Sequence, residues 1–165
     1  MSIQGKVWKY GDDVNTDVIF PGKYTYTITD RKEMAAHAME DLDPEFAKQV
    51  KPGDIVVAGK NFGCGSSREQ AASCLKEAGV AAIVAASFAR IFFRNAINEG
   101  LPLIECPAAI DAIGAGDAIE IDFEAGVLSV SDREFHFPGL PESVMGIMRE
   151  GGLIPYVKKQ LNKTL

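Results

Sequence analysis

Two apolar runs separated by one helical pattern set the tightest limit on how this chain can fold. Residues 55–58 read Ile-Val-Val-Ala, and residues 80–86 read Val-Ala-Ala-Ile-Val-Ala-Ala. Neither run alternates with polar residues, so both faces of each strand must be covered. Between them, residues 71–78 carry apolar side chains at helical spacing, and Gly79 can close that helix. A second helical pattern over 88–99 places Phe88, Ile91, Phe92 and Ile97 on a wide apolar face. Ser87 can cap it, Gly100 ends it, and a third apolar run follows over 101–105. Strand–helix–strand–helix–strand in this order implies a small parallel α/β layer with right-handed crossovers.

The flanks read differently. Residues 2–10 suit a short strand, 11–17 a polar turn, and 18–20 are briefly apolar before the turn pair Pro21-Gly22. Residues 23–29 suit either a strand or a polar loop lining a cleft. Asp30 can cap a helix to about residue 40, on which His37 is a surface or half-buried residue. Asp43-Pro44-Glu45 restarts a short helix. After Pro107 the pattern alternates over 117–123, 126–130 and 133–137, which predicts a β-meander with His136 packed or at an edge. Pro141 opens a helix to about residue 150, Gly151-Gly152 breaks it, and the tail from Pro155 is polar and basic. The expectation is one domain over residues 1–165, a parallel α/β layer joined to a β-rich part.

A formal net charge of −6 argues against nucleic acid as the main partner, since phosphate binding needs clustered positive charge. No apolar run is long enough to span a bilayer and the first residues lack a signal-peptide core, so a cytoplasmic protein is expected. Cys64, Cys74 and Cys106 are odd in number and form no C-x-x-C pair, so no metal site is expected on this chain. Cys74 and Cys106 read as core. Cys64 sits near a helix start, where a thiolate is favoured, but no histidine is close in sequence. The Asp12-Asp13…Asp17 cluster lacks the glycine and closing glutamate of an EF-hand loop.

The loop between the first strand and its helix reads Gly59-Lys60-Asn61-Phe62-Gly63-Cys64-Gly65-Ser66-Ser67-Arg68-Glu69-Gln70. Ser66 with Glu69, and Ser67 with Gln70, have the spacing of a capping box. Free amides and the positive end of a helix dipole make such a start an anion site, and Arg68 adds a planar fork suited to carboxylate or phosphate. A P-loop fails, because Cys64 stands where its second glycine belongs and no lysine precedes Ser66. A dinucleotide fingerprint fails at Arg68, which replaces the third glycine. Arg90 and Arg94, at i and i+4, read as a solvated face in preference to a contact with a partner protein.

The loop as a whole resembles the signature of the swivelling domain of the aconitase superfamily. Asn15-Thr16-Asp17-Val18-Ile19 is similar to that domain's N-terminal T-D-x-I motif. Ser87-Phe88-Ala89-Arg90-Ile91, with Asn95 and Gly100-Leu101-Pro102-Leu103 after it, resembles its S-F-A-R-I and G-L stretches. The resemblance runs in order from about residue 2 to 150 and fits the free-standing small-subunit form found in 3-isopropylmalate dehydratases and their relatives. It implies a swivelling β/β/α fold and a hydro-lyase that dehydrates and rehydrates a hydroxy-dicarboxylate in leucine biosynthesis. It also implies a large-subunit partner carrying a [4Fe–4S] cluster, with no cofactor on this chain. By the same resemblance Ser66 is the base, Ser67 and Arg68 hold substrate carboxylate, and Asp17 orients a histidine of the other subunit. Tyr24, Thr25, Tyr26 and Thr27 fall where relatives set substrate choice. Relatives taking an extra carboxylate carry an arginine there, and this chain does not. A substrate such as isopropylmalate is therefore expected, with dimethylmalate, citramalate or homoaconitate types as alternatives, alongside a stand-alone carboxylate-binding module and a nucleotide-dependent oxidoreductase.

Overall fold

The computed structural model describes residues 1–164. Its elements in chain order are β1 (Ser2–Lys9), α1 (Thr16–Ile19), a 3₁₀ turn (Gly22–Tyr24), α2 (Arg31–Ala36), α3 (Phe46–Gln49), β2 (Ile55–Ala58), α4 (Glu69–Glu77), β3 (Ala82–Ala85), α5 (Arg90–Asn98) and β4 (Leu103–Glu105). There follow α6 (Pro107–Ile110), β5 (Ala118–Asp122), β6 (Val127–Val130), β7 (Arg133–His136), α7 (Glu142–Arg149) and α8 (Leu153–Thr164). The strands form one mixed sheet in the order β4-β3-β2-β1-β5-β6-β7.

The unalternating runs form the parallel half, as expected. β2 and β3 pair parallel, with Val56 opposite Ile83, and every residue of both strands is buried. Their side chains alternate between two cores. Val56, Ala58, Ile83 and Ala85 face Phe20, Phe62, Leu75 and Phe92. Ile55, Val57, Ala82 and Val84 face Ile110, Ile119, Met145 and Met148 on the other side. Each such fully buried aliphatic or aromatic side chain contributes about 1.5–3 kcal/mol.

β1 is the seam. It runs parallel to β2, with Val7 opposite Ile55, and antiparallel to β5, with Ile3 opposite Ile121. Beyond it, β5, β6 and β7 form the predicted meander, whose buried Ile119, Ile121, Leu128 and Val130 alternate with outward Glu120 and Ser129. His136 stands exposed on the edge strand, and Cys74 and Cys106 are buried in the core. Among the described residues no helix is long and apolar enough to cross a membrane.

Local expectations are refined in three places. Of the two readings of residues 23–29, the loop holds and the strand does not. These residues wind into the 3₁₀ turn and further turns, in which Thr25 N–H bonds Gly22 O at 3.1 Å and Ile28 N–H bonds Tyr24 O at 3.0 Å. The helix from Asp30 is shorter than the pattern suggests, ending at Ala36, though Asp30 does cap it by accepting from Lys32 N–H at 3.0 Å. The polar tail is a helix, α8, because Pro155 falls in its first turn, where a missing N–H costs nothing.

Candidate active site

In a parallel sheet, loops leaving the C-terminal ends of adjacent strands meet, and ligands bind there. Here the loops after β1, β2 and β3 are laced together by main-chain bonds. Gly59 N–H bonds Gly11 O at 3.0 Å, Gly63 N–H bonds Val14 O at 2.7 Å, and Thr16 N–H bonds Cys64 O at 2.9 Å. On the other side Phe62 N–H bonds Ser87 O at 3.1 Å and Ala89 N–H bonds Phe62 O at 2.9 Å. The glycine loop is thus a central cord between its two neighbours. Gly63 (φ +84°) and Gly65 (φ +96°) take backbone conformations that side-chain-bearing residues adopt only at a cost.

The cord delivers Ser66, Ser67 and Arg68 to a shallow depression of about 200 Å³, also lined by Thr16, Arg90 and Asn95, with Phe92 among its walls. Ser66 is aimed by its own carbonyl, which accepts from the buried Thr16 Oγ1 at 2.7 Å. The predicted capping boxes do not form. Arg68 is the N-cap residue of α4 and no side chain caps that helix. Both serines are exposed, and neither hydroxyl has a hydrogen-bond partner among the described residues. Ser87 does not cap α5 either. Ala89 is the N-cap, again without a side-chain bond, while Ser87 Oγ accepts Asn61 N–H at 2.8 Å. Two helix starts therefore border the depression with their amides uncapped, and their dipoles favour negative charge there.

Arg68 is half-buried. Its guanidinium pairs with the exposed Asp17 carboxylate and reaches Phe20 O at 3.5 Å. A methyl group on Gly22 would come within 2.8 Å of Arg68 Nη1, so the turn after Pro21 presses against the guanidinium. Asp17 and Arg68, far apart in sequence, are one unit.

The Tyr24–Thr27 side chains do not line the depression. The Tyr24 ring lies 4.1 Å from the His37 ring, its hydroxyl bonds Glu40 Oε1 at 3.3 Å, and His37 Nδ1 sits 3.1 Å from Glu40 Oε2. Thr27 Oγ1 turns back to Lys23 O at 3.4 Å, and Tyr26 is 95% exposed. The main chain of this turn reaches α4, where Thr25 O accepts from Gln70 Nε2 at 3.5 Å. The loop's one cation, Lys23, lies 5.0 Å over the Tyr24 ring. Conversely, Arg90, Asn95 and Thr16 line the depression although sequence reasoning gave them no part in it. Arg90's place in the S-F-A-R-I stretch was the available signal.

The aconitase C-terminal domain family matches residues 13–109, which contain all of these groups. The chain is 51% identical to the 3-isopropylmalate dehydratase small subunit of Clostridium beijerinckii, over 97% of this chain and 100% of that one. It is also 51% identical to the small subunit of the same name from Aquifex aeolicus, over 98% and 97% of the two chains. The crystal structure of a 3-isopropylmalate dehydratase chain from Methanocaldococcus jannaschii superposes with a TM-score of 0.93 at 44% identity, covering 99% of this chain and 98% of that one. The swivelling α/β fold expected from the motifs is thereby established, and the chain belongs to the aconitase C-terminal domain family and, within it, to the 3-isopropylmalate dehydratase small subunits.

Proposed function

We propose that this chain is the small subunit of a hydro-lyase that interconverts 2- and 3-isopropylmalate, and that it supplies the base and carboxylate-binding groups. The observation that carries this reading is the Ser66-Ser67-Arg68 run, standing with free hydroxyls at an uncapped helix start in a chain matched end to end by such subunits. Ser66, as its alkoxide, takes the proton from the carbon beside a carboxylate. The C–H electron pair forms the double bond as the C–O bond breaks, and the hydroxyl leaves as water with a proton from an acid that this reading assigns to the large subunit. Re-addition with the opposite regiochemistry gives the isomer. A serine hydroxyl needs help to ionise, and the N-terminal amides of α4 together with Arg68 give the required positive field. Ser67 and Arg68 hold a substrate carboxylate, Arg68 through two parallel bonds. Asp17 positions Arg68 in the chain alone, and orients a histidine of the large subunit on assembly.

Among the described residues no three His, Cys, Asp or Glu side chains stand together as a metal site. The donor set of this chain does not fit an iron–sulfur cluster, and the reading assigns the cluster to the large subunit. A depression of about 200 Å³ also falls below the ~300–1,000 Å³ usual for a small-molecule pocket, which supports half a site closed by a partner. The absence of a free arginine in the Tyr24–Thr27 turn supports an uncharged alkyl substituent over a third carboxylate.

The test is Ser66→Ala in the complex reassembled with its large subunit. Size-exclusion chromatography should show normal assembly, and turnover of 3-isopropylmalate should fall by about 10²–10⁴-fold, the usual worth of a general base. Near-normal turnover would remove Ser66 from the role.

A further inference from the structure

Behind the turn that presses on Arg68 stands a polar cluster that the proposed chemistry does not use. Tyr24, His37 and Glu40 are all half-buried, and none of them lines the depression. Glu40 is the shared acceptor. Its Oε1 takes the Tyr24 hydroxyl at 3.3 Å, and its Oε2 lies 3.1 Å from His37 Nδ1. An ionised carboxylate only accepts, so Nδ1 carries a proton toward Glu40. The imidazole lies against the Tyr24 ring, with 4.1 Å between centroids. A strained residue puts Glu40 there. Met39 is buried at φ +61°, a conformation that a long side chain keeps only where its surroundings impose it. Its N–H bonds Ile19 O at 2.7 Å, which ties this bend to the end of α1.

From Tyr24 the connection runs through the main chain to the arginine. Tyr24 N–H bonds Pro21 O at 3.0 Å, and Thr25 N–H bonds Gly22 O at 3.1 Å. The Tyr24 ring packs on the buried Phe20 ring at 6.1 Å between centroids. Phe20 O accepts from Arg68 Nη1 at 3.5 Å, and a methyl on Gly22 would stand 2.8 Å from that same nitrogen.

We infer that His37 and Glu40 are positioning residues for Arg68. Through Tyr24 they hold residues 20–22 against the guanidinium, and so fix its fork for the substrate carboxylate. This rests on the reading of Arg68 as a carboxylate-holding group of a hydro-lyase.

The test compares Glu40→Ala, Glu40→Gln, Tyr24→Phe and Arg149→Gln in the complex with the large subunit, prepared without oxygen. In Glu40→Ala, deuterium exchange of the peptide 21–28 should quicken roughly tenfold, because the turn loses the contacts that hold it in place. A carboxylate bond made alike in ground and transition states affects KM and spares kcat, so KM for 3-isopropylmalate should rise roughly 3- to 10-fold with kcat within about twofold of wild type. Tyr24→Phe loses one hydroxyl and keeps the ring packing, and should move both readouts the same way by a smaller factor. Glu40→Gln should recover most of both, since an amide can accept from Tyr24 and donate to the ring nitrogen. Arg149→Gln breaks an exposed ion pair on α7, with Glu142, and should match wild type. Unchanged exchange in Glu40→Ala, faster exchange with unchanged KM, or a loss confined to kcat would each overturn the inference. So would an equal KM rise in Arg149→Gln, or a Glu40→Gln complex as impaired as Glu40→Ala. If Glu40→Ala does not assemble, the two readouts on Tyr24→Phe decide in the same way. A wild-type complex that does not turn over isopropylmalate would instead refute the hydro-lyase reading on which the inference stands.

Discussion

Replacing Gly63 with alanine tests whether the glycine loop is held by close packing or only by its turn geometry. At φ +84° an alanine costs about 1–2 kcal/mol in backbone strain alone. Its methyl would also sit 2.7 Å from Phe92 Cδ1, and closer still to Cγ and Cβ of the same side chain. Phe92 cannot swing aside, because it is buried and its ring meets Phe62 edge-on at 5.3 Å between centroids. Overpacking of this kind costs about 1–3 kcal/mol. Retreat of the loop is opposed by the 2.7 Å bond from Gly63 N–H to Val14 O. The sum is about 2–5 kcal/mol, or a fall in Tm of roughly 4–20 °C for a domain of this size. Gly65→Ala is the internal control. Its φ is +96°, but the nearest atom to a new methyl is 3.5 Å away, so only the strain of about 1–2 kcal/mol applies. Gly11→Ala meets nothing within 4 Å and should be silent. Urea melts followed by circular dichroism give the three values. If Gly63→Ala is no worse than Gly65→Ala, the packing argument is wrong. A double mutant with Phe92→Ala sharpens the result, since a real clash gives a coupling of about 1 kcal/mol or more.

Thr16→Val removes the hydroxyl that bonds Ser66 O at 2.7 Å, which should cost about 1–2 kcal/mol and lower turnover of the assembled enzyme about tenfold. Unchanged steady-state kinetics would mean that Ser66 is aimed without it. Tyr10 makes a separate prediction about alkaline stability. Burial first, then its 2.8 Å hydrogen bond to Asp43 Oδ2 and the charge of that carboxylate, push its phenol well above the usual 10.0. The folded state thus binds this proton more tightly than the unfolded chain. Its contribution is complete below pH 10 and is lost as the pH rises beyond that toward the folded value. Between pH 8 and 11 wild type should therefore lose more melting temperature than Tyr10→Phe, and equal losses would contradict the assignment.

The parallel half of the fold was legible because its signal is compositional. Strands such as β2 and β3, covered on both faces, have to be apolar throughout, and the helices between them need an apolar stripe. The meander was legible for the opposite reason, since one face of β5 and β6 is wet and their residues alternate. Local rules failed where a distant segment competed for the same atoms. Ser87 has good sequence credentials as a cap, yet its hydroxyl takes the Asn61 N–H from the neighbouring loop. The tail of α8 reads as polar because its lysines dominate the composition. Its apolar residues Ile154, Val157 and Leu161 nonetheless share helical spacing, and all three are exposed. Arg90 and Arg94 are indistinguishable as an i,i+4 pair. Only the crossing of three loops puts one in the depression and leaves the other outside it. The ion pair of Asp17 with Arg68 joins motifs from two loops and no spacing rule contains it.

These failures share a cause that bears on the site itself. Asn15–Thr16, Phe62–Gly65 and Ser87–Ala89 are bound to one another through peptide groups, which any sequence supplies. The capping boxes would have spent Ser66 and Ser67 on that task. Main-chain lacing makes them unnecessary, and the hydroxyls remain unengaged at a helix start where they face the positive end of the dipole. The cost falls on the glycines, which accept the left-handed backbone and, at Gly63, contact with Phe92. A site built this way holds its backbone rigid while keeping its reactive side chains free of internal partners, the combination that electrostatic preorganisation requires.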